Sequence, residues 1–124
     1  ERDRLAEDYE LWLRFSARYR FYYQPMLVAS YRVMADQISS DKRRRFTANE
    51  RIIRDFLARY GNCLSRAERR WGLARYNVRK ARYFAAAGDR RTALAAIGRA
   101  FGLAPMSLVV WRGLYRVLNP GGSA

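Results

Sequence analysis

Two adjacent carboxylates, Glu7 and Asp8, stand at the start of the stretch EDYELWLRF in a sequence that is otherwise strongly basic. A carboxylate within hydrogen-bond reach of a hydroxyl group can remove its proton as a general base. The positive end of a helix dipole would keep such a carboxylate ionised, but it also attracts acidic residues in helices that have no site. Composition alone favours this second, structural interpretation of the pair.

The residues around the pair predict an amphipathic helix over residues 5 to 19, in which Tyr9 and Trp12 share one apolar stripe. Residues 20 to 33 then change to aromatic and β-branched side chains interrupted by Pro25, which predicts one or two short strands at a sheet edge. A single hairpin is only marginally stable in water. We therefore expect the pairing partner of this strand region to lie outside the sequence.

The remainder of the sequence predicts four helices with short connections. Thr47 and Glu50 have the spacing of a capping box before the first of them, and Ser65 and Glu68 repeat it before the second. Gly88 is expected to end the second helix. The four predicted helices run from about Thr47 to Tyr60, Arg66 to Ala87, Arg90 to Gly102 and Pro105 to Leu118. The predicted fold class is mainly α, with an N-terminal helix and short strand region before a repeat-like helical region.

Composition excludes several kinds of site. The 124 residues include one cysteine, Cys63, and no histidine, so disulfides, Cys/His zinc sites and histidine-based triads do not occur within them. No apolar run approaches the roughly 20 residues that a membrane-spanning helix needs. Glu1 stands where an initiator methionine would be expected, and no signal-peptide pattern follows it, so we expect a piece of a longer protein.

The net charge of +14 favours partners that carry negative charge, namely nucleic acid, anionic lipid headgroups or phosphorylated substrates. The densest basic run is Lys42 to Arg45. A solvated helical surface explains the same charge without function. No nucleic-acid-binding motif is present, which counts against nucleic acid as the partner of a basic helical module. An anionic membrane surface stays an alternative, because a cationic surface gains energy near a negative leaflet. Protein interaction through the helices, including homo-oligomerisation, is a third alternative.

The run EDYELWLRFSARYRFYYQPMLVASYRV resembles the C-terminal part of the catalytic domain of family 2 glycosyltransferases. The shared features, in order, are an acidic pair, an aromatic residue, Leu-Trp-Leu-Arg on a helix, and a strand leading to Tyr-Arg. The resemblance covers residues 6 to 40 and implies a GT-A fold, whose upstream half binds a nucleotide-sugar. Residues 1 to 40 are accordingly expected to be the end of that domain, and residues 41 to 124 a helical extension.

The resemblance also implies site residues. Asp8 matches the catalytic base that deprotonates the acceptor hydroxyl in an inverting transfer, and Glu7 matches its neighbour in the motif. Trp12 would line the acceptor pocket, with a place in the protein core as the alternative. Arg32 would lie on the donor side.

The sequence departs from the family in two ways. Many members place a histidine shortly after Tyr-Arg, whereas here Val33 and Met34 follow Arg32, and the nucleotide-binding half with its DxD motif does not occur. We therefore expect no cofactor and no activity in this chain alone. The parent enzyme would use Mg²⁺ or Mn²⁺, a nucleotide-sugar and a glycan or lipid acceptor. It would be cytoplasmic or peripheral on the inner face of the membrane.

A second resemblance lies in ARYFAAAGDRRTALAAIGRAFGLAP, which is similar to one tetratricopeptide repeat, a helix pair that stacks on its neighbours. The matching residues are Phe84, Gly88, Ala93, Ile97, Ala100 and Pro105. Small Ala93 and Ala100 would let two helices approach closely while Ile97 fills the space between them. This predicts a helical extension that carries one such helix pair.

Overall fold

The computed structural model describes residues 6–30 and 42–119. Five α-helices form in this part of the chain, and a short 3-10 helix covers Gly61–Cys63. The helices are α1 (Glu7–Ser16), α2 (Lys42–Tyr60), α3 (Arg66–Ala86), α4 (Arg90–Leu103) and α5 (Leu108–Leu118). The mainly helical fold predicted from the sequence is confirmed. None of the described helices is both long and apolar enough to cross a bilayer.

The predicted strand region, residues 20 to 33, is not seen as a strand. Residues 20–30 have neither helix nor strand, and residues 31–33 lie outside the described part of the chain. A strand needs hydrogen bonds from a neighbouring strand, and none occurs among residues 6–30 and 42–119.

The chain divides into two compact units, unit 1 (Glu1–Cys63) and unit 2 (Leu64–Ala124). Within unit 1, α1 packs on α2, and within unit 2, α3 packs on both α4 and α5. The boundary between residues 40 and 41 that the resemblance implies stays a prediction, because it concerns membership of a larger domain.

Unit 1 corrects one predicted helix start. The spacing of Thr47 and Glu50 predicted a capping box, but α2 already begins at Lys42. The Thr47 hydroxyl donates instead to the carbonyl of Arg43 at 3.3 Å, one turn earlier in the helix. The arginines before Thr47 have good helix propensity, and Phe46 is buried, so apolar burial extends the helix past the expected cap.

In unit 2, the predicted capping box at the start of α3 is confirmed. The Ser65 Oγ accepts a hydrogen bond from the Glu68 backbone N–H at 3.1 Å. In return, Glu68 Oε2 accepts from the Ser65 N–H at 2.8 Å and from its hydroxyl at 2.7 Å. These donors, the hydroxyl first and the backbone N–H second, lower the pKa of Glu68 from its usual value of 4.5.

Ser65→Ala is expected to lower the free energy of unfolding of unit 2 by about 1 kcal/mol and to move the pKa of Glu68 back up. A lowered pKa in the folded state contributes stability above the unfolded pKa, and this contribution is lost as the pH falls through the folded pKa. The difference between wild type and Ser65→Ala should therefore shrink on acidification. Thermal unfolding against pH and NMR titration of Glu68 measure both effects.

Ser107→Ala is the matched control for that experiment, because Ser107 is the N-cap of α5 but its side chain makes no cap hydrogen bond. It should change stability little at any pH. Equal losses in the two variants, or a Ser65→Ala loss that does not depend on pH, would mean that the capping box is not formed in solution.

Gly88 ends α3, as predicted. Its φ of 80° lies in the left-handed region that favours glycine. The Gly88 N–H donates to the Ala85 carbonyl at 3.1 Å and the Asp89 N–H to the Phe84 carbonyl at 2.9 Å, which is a Schellman motif. The Asp89 carboxylate then caps α4 by accepting from the Thr92 N–H at 3.0 Å. One short turn therefore stops α3 and starts α4.

The core of unit 2 is built largely from alanine. Ala93 and Ala100 are fully buried, as their predicted role in close helix packing requires, and Ile97 lies beside them. The end of α4 is held by Arg70 of α3, whose Nε donates to the Leu103 carbonyl at 3.0 Å. The other buried apolar residues of unit 2 are Ala74, Val78, Ala81, Phe84, Ala85, Ala96, Val110 and Val117.

Candidate functional site

The carboxylate pair lies at the start of α1. Glu7 and Asp8 are both exposed in its first turn. The backbone N–H of Tyr9 donates to Asp8 Oδ1 at 2.8 Å, which fixes one oxygen of the carboxylate. Ala6, the residue before the pair, has a φ of 70°, and its side chain provides no cap. A non-glycine residue in the left-handed region is strained by about 1 kcal/mol or more.

The charge pattern of α1 complements its dipole, since Glu7, Asp8 and Glu10 lie in the first turn and Arg14 in the last. This arrangement by itself explains the acidic pair without a functional site. The charge of the pair is therefore no evidence of a site, and the surface next to the carboxylates decides whether one exists.

That surface is an aromatic cluster made of Trp12, Phe15, Tyr19 and Phe21. Trp12 stacks edge to face with Phe15 at a centroid distance of 6.0 Å and with Phe21 at 5.9 Å. Trp12 is 54% exposed, so it does not occupy the core of unit 1. Because it follows Asp8 by four residues, it lies one turn away on the same face of α1. An exposed carboxylate and an exposed aromatic surface are thus adjacent.

A mostly apolar segment without helix or strand, residues 20–30, continues from the cluster. Tyr22 is 90% exposed and Leu27 is 91% exposed, and neighbouring large apolar side chains are also exposed. A tight turn at Pro25 is closed by the Met26 N–H, which donates to the Gln24 carbonyl at 2.9 Å. So many exposed large apolar side chains in one segment are typical of a surface that another structure covers.

α1 is held in place by α2. Leu13 and Arg14 of α1 meet Ile52 and Phe56 of α2 around a gap of only about 20 Å³. This gap is too small for a substrate. The interface therefore positions α1, and the exposed face of α1 remains the candidate site.

Arg32, the expected donor-side residue, lies outside the described residues. Within the described ranges, no group of three or more Asp, Glu, Cys or His side chains is arranged to hold a metal ion.

A second surface, on α5, was missed by the sequence reasoning. The exposed residues Leu108, Trp111, Tyr115 and Leu118 follow one another at intervals of three, four and three residues, which places them on one side of the helix. The signal was present in the sequence LVVWRGLYRVL. Its apolar residues cover too wide an arc for one buried face.

No protein-family model matches the chain, and no match is found among curated proteins or among solved structures.

Proposed function

We propose that the chain is the C-terminal part of an inverting family 2 glycosyltransferase, which transfers a sugar from a nucleotide-sugar to an acceptor hydroxyl. The observation that carries the proposal is the exposed aromatic and apolar surface that begins at Trp12 and continues through Val28, directly after the Glu7-Asp8 pair. This is the order in which an acceptor-side helix and a sheet-edge segment follow the base in that family.

Asp8 is the general base of the proposal. Its Oδ1 is held by the Tyr9 N–H at 2.8 Å, which leaves Oδ2 to take the acceptor proton. As the proton moves to Asp8, the acceptor oxygen bonds to the anomeric carbon, and the nucleotide departs with the electron pair of the broken bond. Glu7, its neighbour in the motif, is exposed beside it in the first turn of α1. Attack from the face opposite the nucleotide inverts the anomeric centre.

Trp12 and its aromatic cluster supply the acceptor surface. Aromatic rings bring a large, rigid contact area, and these rings remain exposed although they pack edge to face on one another. A sugar or lipid acceptor bound there would present a hydroxyl to Asp8 one turn away.

Residues 20–33 are proposed to dock on the sheet of the missing catalytic half, as the end of a GT-A α/β domain. Burial of Tyr22, Leu27 and their exposed neighbours would then provide the apolar contact that this segment lacks in the chain alone. Arg32 belongs to the donor side of the same proposal. The divalent metal and the nucleotide would bind in the upstream half.

Nucleotide binding tests whether the donor site lies in the upstream half. In isothermal titration of the 124-residue chain with UDP, GDP and dTDP, each with Mg²⁺ or Mn²⁺, we expect no binding. The protein from the complete reading frame should bind one of them in a metal-dependent way and release it during transfer. Metal-dependent binding by the 124-residue chain, or a complete reading frame without an upstream nucleotide-binding half, would overturn the proposal.

A second candidate function, that of a basic binding module, is favoured by the charge of unit 2. Its sequence carries twelve arginine and lysine residues and only two acids, Glu68 and Asp89. A protein surface of this charge gains energy next to polyanions, whichever function unit 1 has.

A further inference from the structure

α5 has two apolar faces, and only one of them is used inside unit 2. Val110, Gly113 and Val117 are buried against the rest of the unit. The opposite side carries the α5 stripe, which consists of Leu108, Trp111, Tyr115 and Leu118, exposed by 71%, 54%, 66% and 62%. Unit 2 therefore holds α5 firmly by one face and presents the other outward.

Arginines lie directly beside the α5 stripe. Arg112 and Arg116 follow each other by one helical turn, and with Arg82 of α3 they line an open groove of about 680 Å³. None of the residues that line this groove is acidic. Three guanidinium groups in one groove form a site for phosphate or carboxylate groups.

The α5 stripe and the neighbouring arginines together fit one kind of binding partner better than the others. A nucleic acid would satisfy the arginines but not Leu108 and Leu118, which offer no stacking face to a base. A second copy of the chain would cover the α5 stripe but bring its own Arg112 and Arg116 near those already there. An anionic lipid surface satisfies both, because acyl chains accept the apolar side chains and headgroup phosphates accept the arginines.

Trp111 and Tyr115 add to this argument, since both residue types prefer the boundary between headgroups and hydrocarbon. The Trp111 Nε1 donates to the Pro105 carbonyl at 2.9 Å, and its ring packs edge to face on Phe101 at 4.9 Å. The indole is therefore held in a fixed orientation on the surface of unit 2.

We propose that α5 is an interfacial helix, which docks unit 2 on membranes that contain anionic phospholipid through the α5 stripe and the Arg82, Arg112 and Arg116 groove. The proposal goes beyond the function proposed for unit 1 and does not depend on it. Arginine side chains on such a helix can extend along the apolar surface and keep their charge at the phosphate level.

Co-sedimentation of the full chain with vesicles tests the proposal. Binding to vesicles of phosphatidylcholine mixed with phosphatidylserine is expected to exceed binding to pure phosphatidylcholine vesicles and to weaken as salt is raised. A Trp12→Phe/Trp71→Phe background leaves Trp111 as the single tryptophan, and the tryptophan emission should shift to the blue on the mixed vesicles.

Two double variants separate the contributions of the apolar stripe and of the arginines to vesicle binding. Leu108→Ser/Leu118→Ser should reduce binding to the mixed vesicles by at least about tenfold. Arg112→Gln/Arg116→Gln should reduce it by about thirtyfold and leave the weak binding to pure phosphatidylcholine unchanged. All four side chains are exposed, so circular dichroism is expected to show the wild-type fold.

The matched controls lie on α4. Arg91→Gln/Arg99→Gln removes the same charge from exposed positions of the same unit, and Leu94→Ser removes a leucine that is 51% exposed. Both should bind nearly as the wild type does. Losses in these controls equal to those in the α5 variants would refute a defined lipid site and leave only non-specific charge attraction.

Other results would assign the surface to a different occupant. Equal binding to mixed and pure phosphatidylcholine vesicles would show that the arginines do not bind anionic headgroups, and would overturn the proposal. Binding to single-stranded RNA that Leu108→Ser/Leu118→Ser does not weaken, without vesicle binding, would indicate nucleic acid. A salt-resistant dimer lost in the same variant, again without vesicle binding, would indicate a second copy. If inorganic phosphate displaced the chain from labelled mixed vesicles as effectively as unlabelled mixed vesicles do, the ligand of the arginines would be a free anion.

Discussion

Replacement of Asp8 by asparagine in the full-length protein is expected to lower kcat for sugar transfer by about 10²- to 10⁴-fold, the usual contribution of a general base. Asparagine keeps the shape of the side chain and the acceptor for the Tyr9 N–H, so the start of α1 is preserved. The KM for the nucleotide-sugar should not change, because the proposed function assigns donor binding to the upstream half. Release of nucleotide from a sugar donor in the presence of acceptor measures the loss.

Glu10→Gln is the matched control, since Glu10 is also exposed in the first turn of α1 and its loss removes the same charge. We expect it to retain nearly full activity. Glu7→Gln should lower kcat less than Asp8→Asn does, because Glu7 is the neighbour in the motif and does not take the acceptor proton. An Asp8→Asn enzyme that transfers sugar at the wild-type rate would show that the base assignment is wrong, whatever the fate of the other two variants.

The helices of unit 2 could be predicted from sequence because the signals that set them are local. Ser65 and Glu68 cap α3 across three residues, and Gly88 ends it within one turn. Hydrogen bonds between residues so close in sequence form whenever the helix forms. Their prediction requires no knowledge of what packs against the helix.

Local signals were misleading where burial opposed them. Thr47 and Glu50 have the capping spacing, yet α2 continues through them to Lys42. Phe46 is buried and gains more from helical packing than Thr47 gains as a cap. A spacing rule does not include this competition, because it depends on contacts made by the whole helix.

The candidate site was predictable only in part for the same reason. Sequence placed Asp8 and Trp12 on one helix, whereas the exposure of both side chains became evident only in the structure. A strand in residues 20–30 depends on a partner, because strand pairing joins residues that are distant in the chain. The exposed α5 stripe was missed because sequence shows that a residue is apolar without showing which of two apolar faces the fold buries.

Gly113→Ala is expected to destabilise unit 2 although alanine is the better helix former. A methyl group at Gly113 would lie 2.6 Å from Val78 Cγ1 and 3.3 Å from Ile97 Cδ1, at the place where α5 crosses the other two helices. Val78 and Ile97 are both buried and have little room to move. Overpacking costs about 1–3 kcal/mol and should outweigh the gain of about 1 kcal/mol in helix propensity.

Gly98→Ala separates these two effects, because Gly98 also lies within a helix but a methyl group there meets nothing within 4 Å. This variant should gain up to about 1 kcal/mol, so thermal or urea unfolding should rank it above wild type and Gly113→Ala below. Adding Val78→Ala to Gly113→Ala should restore part of the loss, whereas Val78→Ala alone creates a cavity and destabilises. If Gly113→Ala proved as stable as Gly98→Ala, α5 could not pack on Val78 as closely as described. The outward presentation of the α5 stripe would then lose its structural basis, since the burial of Gly113 fixes which face of α5 is exposed.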